Sequence, residues 1–126
     1  VLKKKGYILV LATNPVFPRV ATVERMRWAG LDPKDFDLVT TYENSRFAKP
    51  HLDYYREILT TIDARPEECL MVGNDIQEDA VAAQIGMNVF LVTDDLINLT
   101  GEDYSRWPQG DRQAMLRFFE ELPTRR

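Results

Sequence analysis

The chain has 126 residues, a length typical of one domain, and its content of 44% hydrophobic and 29% charged residues is ordinary for a globular protein. The net charge of −4 argues against a nucleic-acid partner, because no basic excess exists to displace counterions from a phosphate backbone. The longest apolar run, Ile8–Ala12, is too short to span a membrane, and the single cysteine, Cys69, cannot form an internal disulfide. These features predict a cytoplasmic protein that binds neither nucleic acid nor membranes.

Strand and helix patterns alternate along the chain. Residues 1 to 6 are expected to end a helix, because lysines and then Gly6 are typical of a helix C-terminus. Short apolar runs predict strands at Tyr7–Ala12, Phe36–Thr41, Cys69–Val72 and Asn88–Val92. Apolar residues at helical spacing predict helices at Pro18–Ala29, Leu52–Ile62, Asp75–Ile85 and Ala114–Leu122. This alternation predicts βαβ units and a parallel sheet, with ligands bound where the strands end.

Polar residues follow the first two predicted strands. The Thr13 hydroxyl and the backbone around Asn14 could hold a phosphate oxygen, or they could simply form a polar turn before Pro15. Lys49 precedes Pro50 and a helix, where an ammonium group beside the helix N-terminus suits an anion. The alternative is a solvated lysine.

Two carboxylates follow the third strand. Asp75 comes after the turn residue Gly73, and Asp79 lies four residues further on, which is one turn of the expected helix. Two such oxygen ligands suit Mg²⁺, which takes one or two carboxylates together with phosphate and water. The alternative is that Asp75 caps a helix and Asp79 stabilises its first turn. A parallel sheet would bring Thr13, Lys49 and both aspartates to one edge.

Three segments, in order, carry a resemblance to a known family. They are YILVLATN (Tyr7–Asn14), AKP (Ala48–Pro50) and MVGNDIQED (Met71–Asp79). They resemble the second, third and fourth motifs of the haloacid dehalogenase (HAD) superfamily, and the likeness covers roughly residues 1 to 95. The resemblance implies a three-layer α/β/α Rossmann-like core with a mostly parallel sheet. Residues 1–126 would form a single partial core domain, incomplete at its N-terminal side.

The resemblance also implies a chemistry. The intact protein would be a Mg²⁺-dependent phosphatase that hydrolyses a small phosphorylated metabolite through an aspartyl-phosphate. Thr13, Asn14 and Lys49 would bind phosphoryl oxygens, and Lys49 would also act in catalysis by steadying the carboxylates. Asp75 would hold Mg²⁺, and Asp79 would bind it through water or fix the neighbouring loop. Asn74 stands between Gly73 and Asp75, where many members have Gly-Asp directly, so Asn74 is an alternative ligand.

The first HAD motif, an apolar strand that ends in Asp-x-Asp, is absent. The segment Asp35-Phe36-Asp37 has the right residues but precedes a strand instead of ending one. The nucleophile and the acid/base aspartate are therefore expected upstream, and this chain alone is expected to be inactive. Only 35 residues separate Thr13 from Lys49, so any cap domain would also lie upstream. The substrate and the oligomeric state are not determined by the sequence.

The missing strand would lie between the strands Tyr7–Ala12 and Cys69–Val72. Without it, a gap of roughly 10 Å would leave backbone groups unpaired on both sides. We therefore expect the strand to come from another part of the same protein or from another copy of the chain. The alternative is that the two strands pair directly with each other.

Two other classes of protein share part of this pattern. A receiver domain of two-component signalling also places Asp, Thr and Lys-Pro at one sheet edge, but there Lys-Pro comes last, whereas here the order is Thr13, Lys49-Pro50, Asp75. A non-catalytic HAD-like binding module, or a truncated product, would explain the absent nucleophile. Four further residues are predicted to have structural roles: His51, Cys69, Asp94 and Asp95.

Overall fold

The computed structural model describes residues 2–124, which divide into two compact units. One unit contains the residues up to Ala48 and those from Pro123, and the other is Lys49–Leu122. The helices are α1 (Arg19–Trp28), α2 (Leu52–Ile62) and α3 (Arg112–Glu121). The strands are β1 (Val10–Leu11), β2 (Leu38–Val39), β3 (Leu70–Gly73), β4 (Asn88–Val92) and β5 (Gln109–Gly110). No helix within residues 2–124 is long and apolar enough to cross a membrane.

The first unit is built on a short parallel pair of strands. Strand β1 pairs with β2 in the register Val10 to Leu38. The ladder is shorter than the predicted strands, but the backbone N–H of Thr40 still donates to the Leu11 carbonyl at 3.1 Å beyond it. Helix α1 connects the strands, matches the predicted helix to within one residue at each end, and buries Met26.

The second unit contains a parallel sheet in the order β3-β4-β5. Its central strand β4 coincides with the predicted strand, and Leu91 within it is completely buried. Helix α2 also coincides with its prediction, because apolar residues recur on one face and that face is buried. Strand β5 was not predicted, since Gln109-Gly110 carries no apolar pattern.

Every ladder in the two sheets is parallel, which confirms the predicted α/β class. Within the residues that the structure describes, β1 and β3 belong to different sheets, β1 pairing with β2 and β3 with β4. Neither sheet therefore contains a direct β1–β3 pairing, the arrangement that would contradict a supplied central strand. The source of that strand stays a prediction.

The segment after β3 and residues 2–6 differ from the predicted helices. The helix predicted to follow β3 directly is wrong: residues 76–79 form a turn, and Ala80–Ile85 is a 3₁₀ helix that Gly86 ends with a positive φ of 98°. The expected helix end at residues 1 to 6 includes Val1, which lies outside the described residues. Residues 2–6 form turns, and Gly6 has a positive φ of 84°.

Candidate functional site

The centre of the second unit's site is a buried ion pair. Lys49 Nζ donates to Asp79 Oδ1 at 2.7 Å, and the two side chains are only 9% and 7% exposed. Lys49 lies just before α2, whereas Asp79 lies in the turn that follows β3. The pair therefore links two segments that are thirty residues apart in sequence, at the carboxyl end of β3.

The second oxygen of Asp79 is held by the backbone. Asp79 Oδ2 accepts hydrogen bonds from the N–H groups of Asn74 and Asp75, both at 3.1 Å. Gly73 makes this possible, because a Cβ at that position would lie 2.2 Å from Asp79 Oδ2. The glycine predicted for a tight turn thus has a more specific role, since the Asp79 carboxylate occupies the space of its missing side chain.

Asp75 lies beside this arrangement and is half-buried. Its Oδ1 accepts from the Glu78 N–H at 3.0 Å, and its carbonyl accepts from the Asp79 N–H at 2.8 Å. Asp75 therefore caps the turn, as the alternative for this residue proposed, although the turn does not continue as an α-helix.

The carboxylates fit Mg²⁺ in chemical type and number, because that ion takes one or two of them and otherwise phosphate and water. Within residues 2–124, no three His, Cys, Asp or Glu side chains converge as a complete metal site. The remaining ligands would have to be phosphate, water or residues outside this part of the chain. The assignment of Asp75 and Asp79 to the metal stays a prediction.

The loop after β4 holds Asn74 in place. Asn74 Nδ2 donates to the Asp95 carbonyl at 3.1 Å, and the Asn74 carbonyl accepts from the Ile97 N–H at 2.7 Å. Asp94 and Asp95 lie in a turn, as predicted, and both face the Arg112 guanidinium at 3.5 and 3.7 Å. A shallow cleft of about 170 Å³ lies between this turn and the carboxyl end of β3.

Thr13 and Asn14 belong to the first unit, two and three residues past β1. Both are half-buried. The Thr13 carbonyl accepts from the Thr40 hydroxyl, and the Asn14 carbonyl accepts from the Val16 N–H at 2.8 Å. Their placement beside Lys49 at a common edge stays a prediction.

Sequence reasoning missed one residue near the ion pair. Tyr55 was assigned only to the apolar face of its helix, but its hydroxyl donates to the Glu78 carbonyl, next to Asp79. Burial, and then the negative charge of Asp79, raise the pKa of Tyr55 far above its ordinary value, so that the hydroxyl keeps its proton. Helical spacing could not reveal this contact, because it crosses between distant segments.

The two remaining structural assignments are straightforward. His51 is the N-cap residue of α2, where Nδ1 accepts from the Asp53 N–H at 3.1 Å. Cys69 was predicted as a buried residue of the third strand, but it precedes β3 and is half-buried; partial burial raises the pKa of its thiol. A neutral thiol is a poor nucleophile, which agrees with the structural role predicted for this residue.

A family model described as haloacid dehalogenase-like hydrolase matches residues 1–86. The chain belongs to this family. It is 33% identical over 96 residues to glyceraldehyde 3-phosphate phosphatase of Methanothermobacter thermautotrophicus, a match that spans 75% of this chain and 41% of that protein. It is 36% identical over 83 residues to the pyrophosphatase PpaX of Bacillus cereus, which spans 66% of this chain and 37% of that protein. The chain thus spans about two fifths of the length of these curated relatives.

Solved structures show the same fold. A HAD phosphatase from Thermococcus onnurineus superposes with a TM-score of 0.72 at 21% identity, covering 98% of this chain and 55% of that one. The HAD-hydrolase YfnB from Bacillus subtilis, solved bound to magnesium, gives a TM-score of 0.70 at 21% identity, covering 92% of this chain and 50% of that one. The family and fold predicted from the three motifs are therefore confirmed.

Proposed function

We propose that the intact protein is a Mg²⁺-dependent phosphomonoester hydrolase that works through an aspartyl-phosphate. This chain would contribute the lysine and the acidic loop of the site. The observation that carries the proposal is the buried Lys49–Asp79 pair, set at the end of β3 next to Asp75. Phosphoryl transfer depends mainly on fixed charges and positioning, and a cation held by a buried carboxylate supplies both.

We assign the binding of the phosphoryl oxygens to Lys49. Its ammonium contacts Asp79 at 2.7 Å, which fixes the position of the charge before any substrate arrives. A cation held in this way needs little rearrangement when negative charge develops on the phosphoryl oxygens. Thr13 and Asn14, which follow β1, are proposed to contribute a hydroxyl and backbone groups to the same phosphoryl oxygens.

Mg²⁺, when bound, would offset charge on the phosphoryl group and on the attacking carboxylate. We assign Asp75 as the residue that holds it. Both oxygens of Asp79 already accept hydrogen bonds, from Lys49 and from two backbone amides, which supports a role for Asp79 in fixing the loop. Asn74 is the weaker candidate, because an amide carries no charge and its Nδ2 is bonded to the Asp95 carbonyl.

The nucleophile is proposed to be an aspartate from a segment that this chain does not contain. No strand in the described residues ends in Asp-x-Asp, and the chain spans about two fifths of its curated relatives. The substrate is proposed to be a small phosphorylated metabolite, which agrees with the phosphatase and pyrophosphatase names of the relatives.

Substitution in the intact protein tests the assignment. We expect Asp75→Asn and Lys49→Met each to lower the Mg²⁺-dependent hydrolysis of p-nitrophenyl phosphate by about a hundredfold, since each removes a charge at the site. Asp53→Asn is the matched control, because the Asp53 side chain is 42% exposed on α2 and its ion-pair contacts are with Arg56 and His51, outside the buried ion pair. Hydrolysis by either site variant at the rate of the control would contradict the proposal.

A non-catalytic binding module is the second candidate, because no nucleophile strand is present in the described residues. Binding of inorganic phosphate distinguishes the two functions. An intact protein that binds phosphate through Lys49 but hydrolyses no phosphomonoester at any Mg²⁺ concentration would favour the binding module.

A further inference from the structure

Tyr55 is a buried polar residue that the proposed chemistry does not use. Tyr55 is 1% exposed on α2, and so is its neighbour Tyr54, whose ring it meets edge-on at 5.0 Å. A phenylalanine would fill such a position without burying a hydroxyl, which costs free energy unless it is hydrogen-bonded. The Tyr55 hydroxyl meets this requirement by donating to the Glu78 carbonyl.

The carbonyl that Tyr55 binds belongs to the peptide unit that leads into Asp79. On the far side of this unit, the Asp79 carboxylate contacts Lys49 at 2.7 Å and the amides of Asn74 and Asp75 at 3.1 Å. Residues 76–79 form a turn and not a regular helix, so an extended ladder of helical hydrogen bonds does not fix this backbone. The N–H of this peptide unit, that of Asp79, donates to the Asp75 carbonyl at 2.8 Å, whereas its carbonyl, that of Glu78, is bound from outside the turn by Tyr55.

Two contacts with this part of the loop come from outside the turn, one from helix α2 and one from Lys49, which lies three residues before the helix begins. Lys49 binds the Asp79 carboxylate, and Tyr55, six residues later, binds the carbonyl immediately before Asp79. The space for adjustment is small, because Asp79 Oδ2 already fills the position of a Cβ on Gly73. A shift of the peptide unit by a few tenths of an ångström would alter the hydrogen bonds that Asp79 accepts.

We propose that Tyr55 is a positioning residue: its hydroxyl fixes the Glu78–Asp79 peptide so that Asp79 can hold both Lys49 and the Asn74-Asp75 backbone. Its consequence for catalysis rests on the proposed function, whereas its consequence for the loop does not. The raised pKa of Tyr55 agrees with this role, since a protonated hydroxyl is the form that donates.

Nuclear magnetic resonance of this chain tests the loop directly. Tyr55→Phe removes the hydroxyl and keeps the ring, and Tyr54→Phe is the matched control from the same buried pair. We expect Tyr55→Phe to shift the amide-proton resonances of Asn74 and Asp75 upfield and to speed their hydrogen exchange by about fivefold, the factor that one neutral hydrogen bond is worth. We expect Tyr54→Phe to leave both amides unchanged.

Three outcomes would overturn the role of Tyr55. These are unchanged Asn74 and Asp75 amides in Tyr55→Phe, an equal change in Tyr54→Phe, and an unfolded spectrum for Tyr55→Phe. The last outcome would make the hydroxyl a requirement for folding instead of a positioning group.

Kinetics of the intact protein form the second arm. We expect Tyr55→Phe to lower kcat for p-nitrophenyl phosphate by about fivefold, with KM unchanged. An unchanged kcat would overturn the catalytic consequence. A wild-type protein without Mg²⁺-dependent hydrolysis, combined with altered Asn74 and Asp75 amides in Tyr55→Phe, would overturn the proposed function and leave the positioning of the loop intact.

Discussion

At the scale of single residues, the Lys49–Asp79 pair places two opposite charges in the buried part of the second unit. Replacing Lys49 by methionine would leave the buried Asp79 carboxylate with the backbone amides of Asn74 and Asp75 as its donors. We expect Lys49→Met to lower the free energy of unfolding by about 3 kcal/mol, because removal of one partner strands a buried charge. Urea denaturation of the variant and the wild type measures this difference.

The surface pair between Arg56 and Asp53 offers a matched control. Its atoms lie 3.0 Å apart, but the side chains are 56% and 42% exposed. We expect Arg56→Met to change the free energy of unfolding by less than about 1 kcal/mol, since solvent screens exposed ion pairs. Equal losses in Arg56→Met and Lys49→Met would show that burial of the Lys49–Asp79 pair has no energetic consequence.

Gly73 allows a second residue-level prediction. Its neighbour is the Asp79 carboxylate, 2.2 Å from where an alanine Cβ would lie. We expect Gly73→Ala to displace Asp79 and to destabilise the chain by about 2 kcal/mol, a cost typical of overpacking. The amide resonances of Asn74 and Asp75, which donate to Asp79, should move in the same variant. Wild-type stability together with unmoved resonances would contradict the close packing of Gly73 and Asp79.

At the scale of elements, the sequence predicts the helices and strands in which burial alone determines the spacing of the apolar residues. Helix α2 has apolar residues at helical spacing on one face, and β4 is a continuous run whose Val89, Phe90 and Leu91 are all buried. In both cases the local periodicity and the tertiary packing require the same conformation. Their boundaries were therefore predictable to the residue.

The segment after β3 was not predictable in the same way. Asp75 and Asp79 are four residues apart, which predicts one face of a helix, but Asp79 instead bends back to the strand end and pairs with Lys49. The spacing of residues around Asp79 cannot reveal this pairing, because Lys49 lies thirty residues away in sequence. The motifs indicated Lys49, Asp75 and Asp79 as candidate site residues, and their roles stay predictions. The Tyr55 contact and the packing of Asp79 on Gly73 became visible only in the structure.

Strand β3 carries the element-level prediction. It pairs with β4 through Leu70–Gly73, and within the described residues its sheet has no strand on the other side. We expect a parallel strand from the missing segment to occupy that edge in the intact protein, since unpaired buried backbone groups are costly. Hydrogen exchange of the alternate amides in Leu70–Gly73 that point away from β4 should then slow markedly. Identical exchange in this chain and in the intact protein would contradict the supplied strand.

At the scale of the whole molecule, family membership and activity stand on different observations. The match over residues 1–86 establishes the family, and the ordered motifs predicted it from sequence alone. The proposed activity depends in addition on a nucleophile that we expect from a segment outside this chain, and the matched regions cover only 41% and 37% of the two curated relatives. The chain and the intact protein should therefore behave differently in the same assay.

That comparison tests the central claim most directly: Mg²⁺-dependent hydrolysis of p-nitrophenyl phosphate by this chain and by the protein extended upstream through the expected Asp-x-Asp strand. We expect turnover by the extended protein, its loss on Asp75→Asn, and none by the chain alone. Clear turnover by the chain alone that Asp75→Asn abolishes would contradict the account, as would an extended protein that contains the Asp-x-Asp strand and shows no Mg²⁺-dependent hydrolysis.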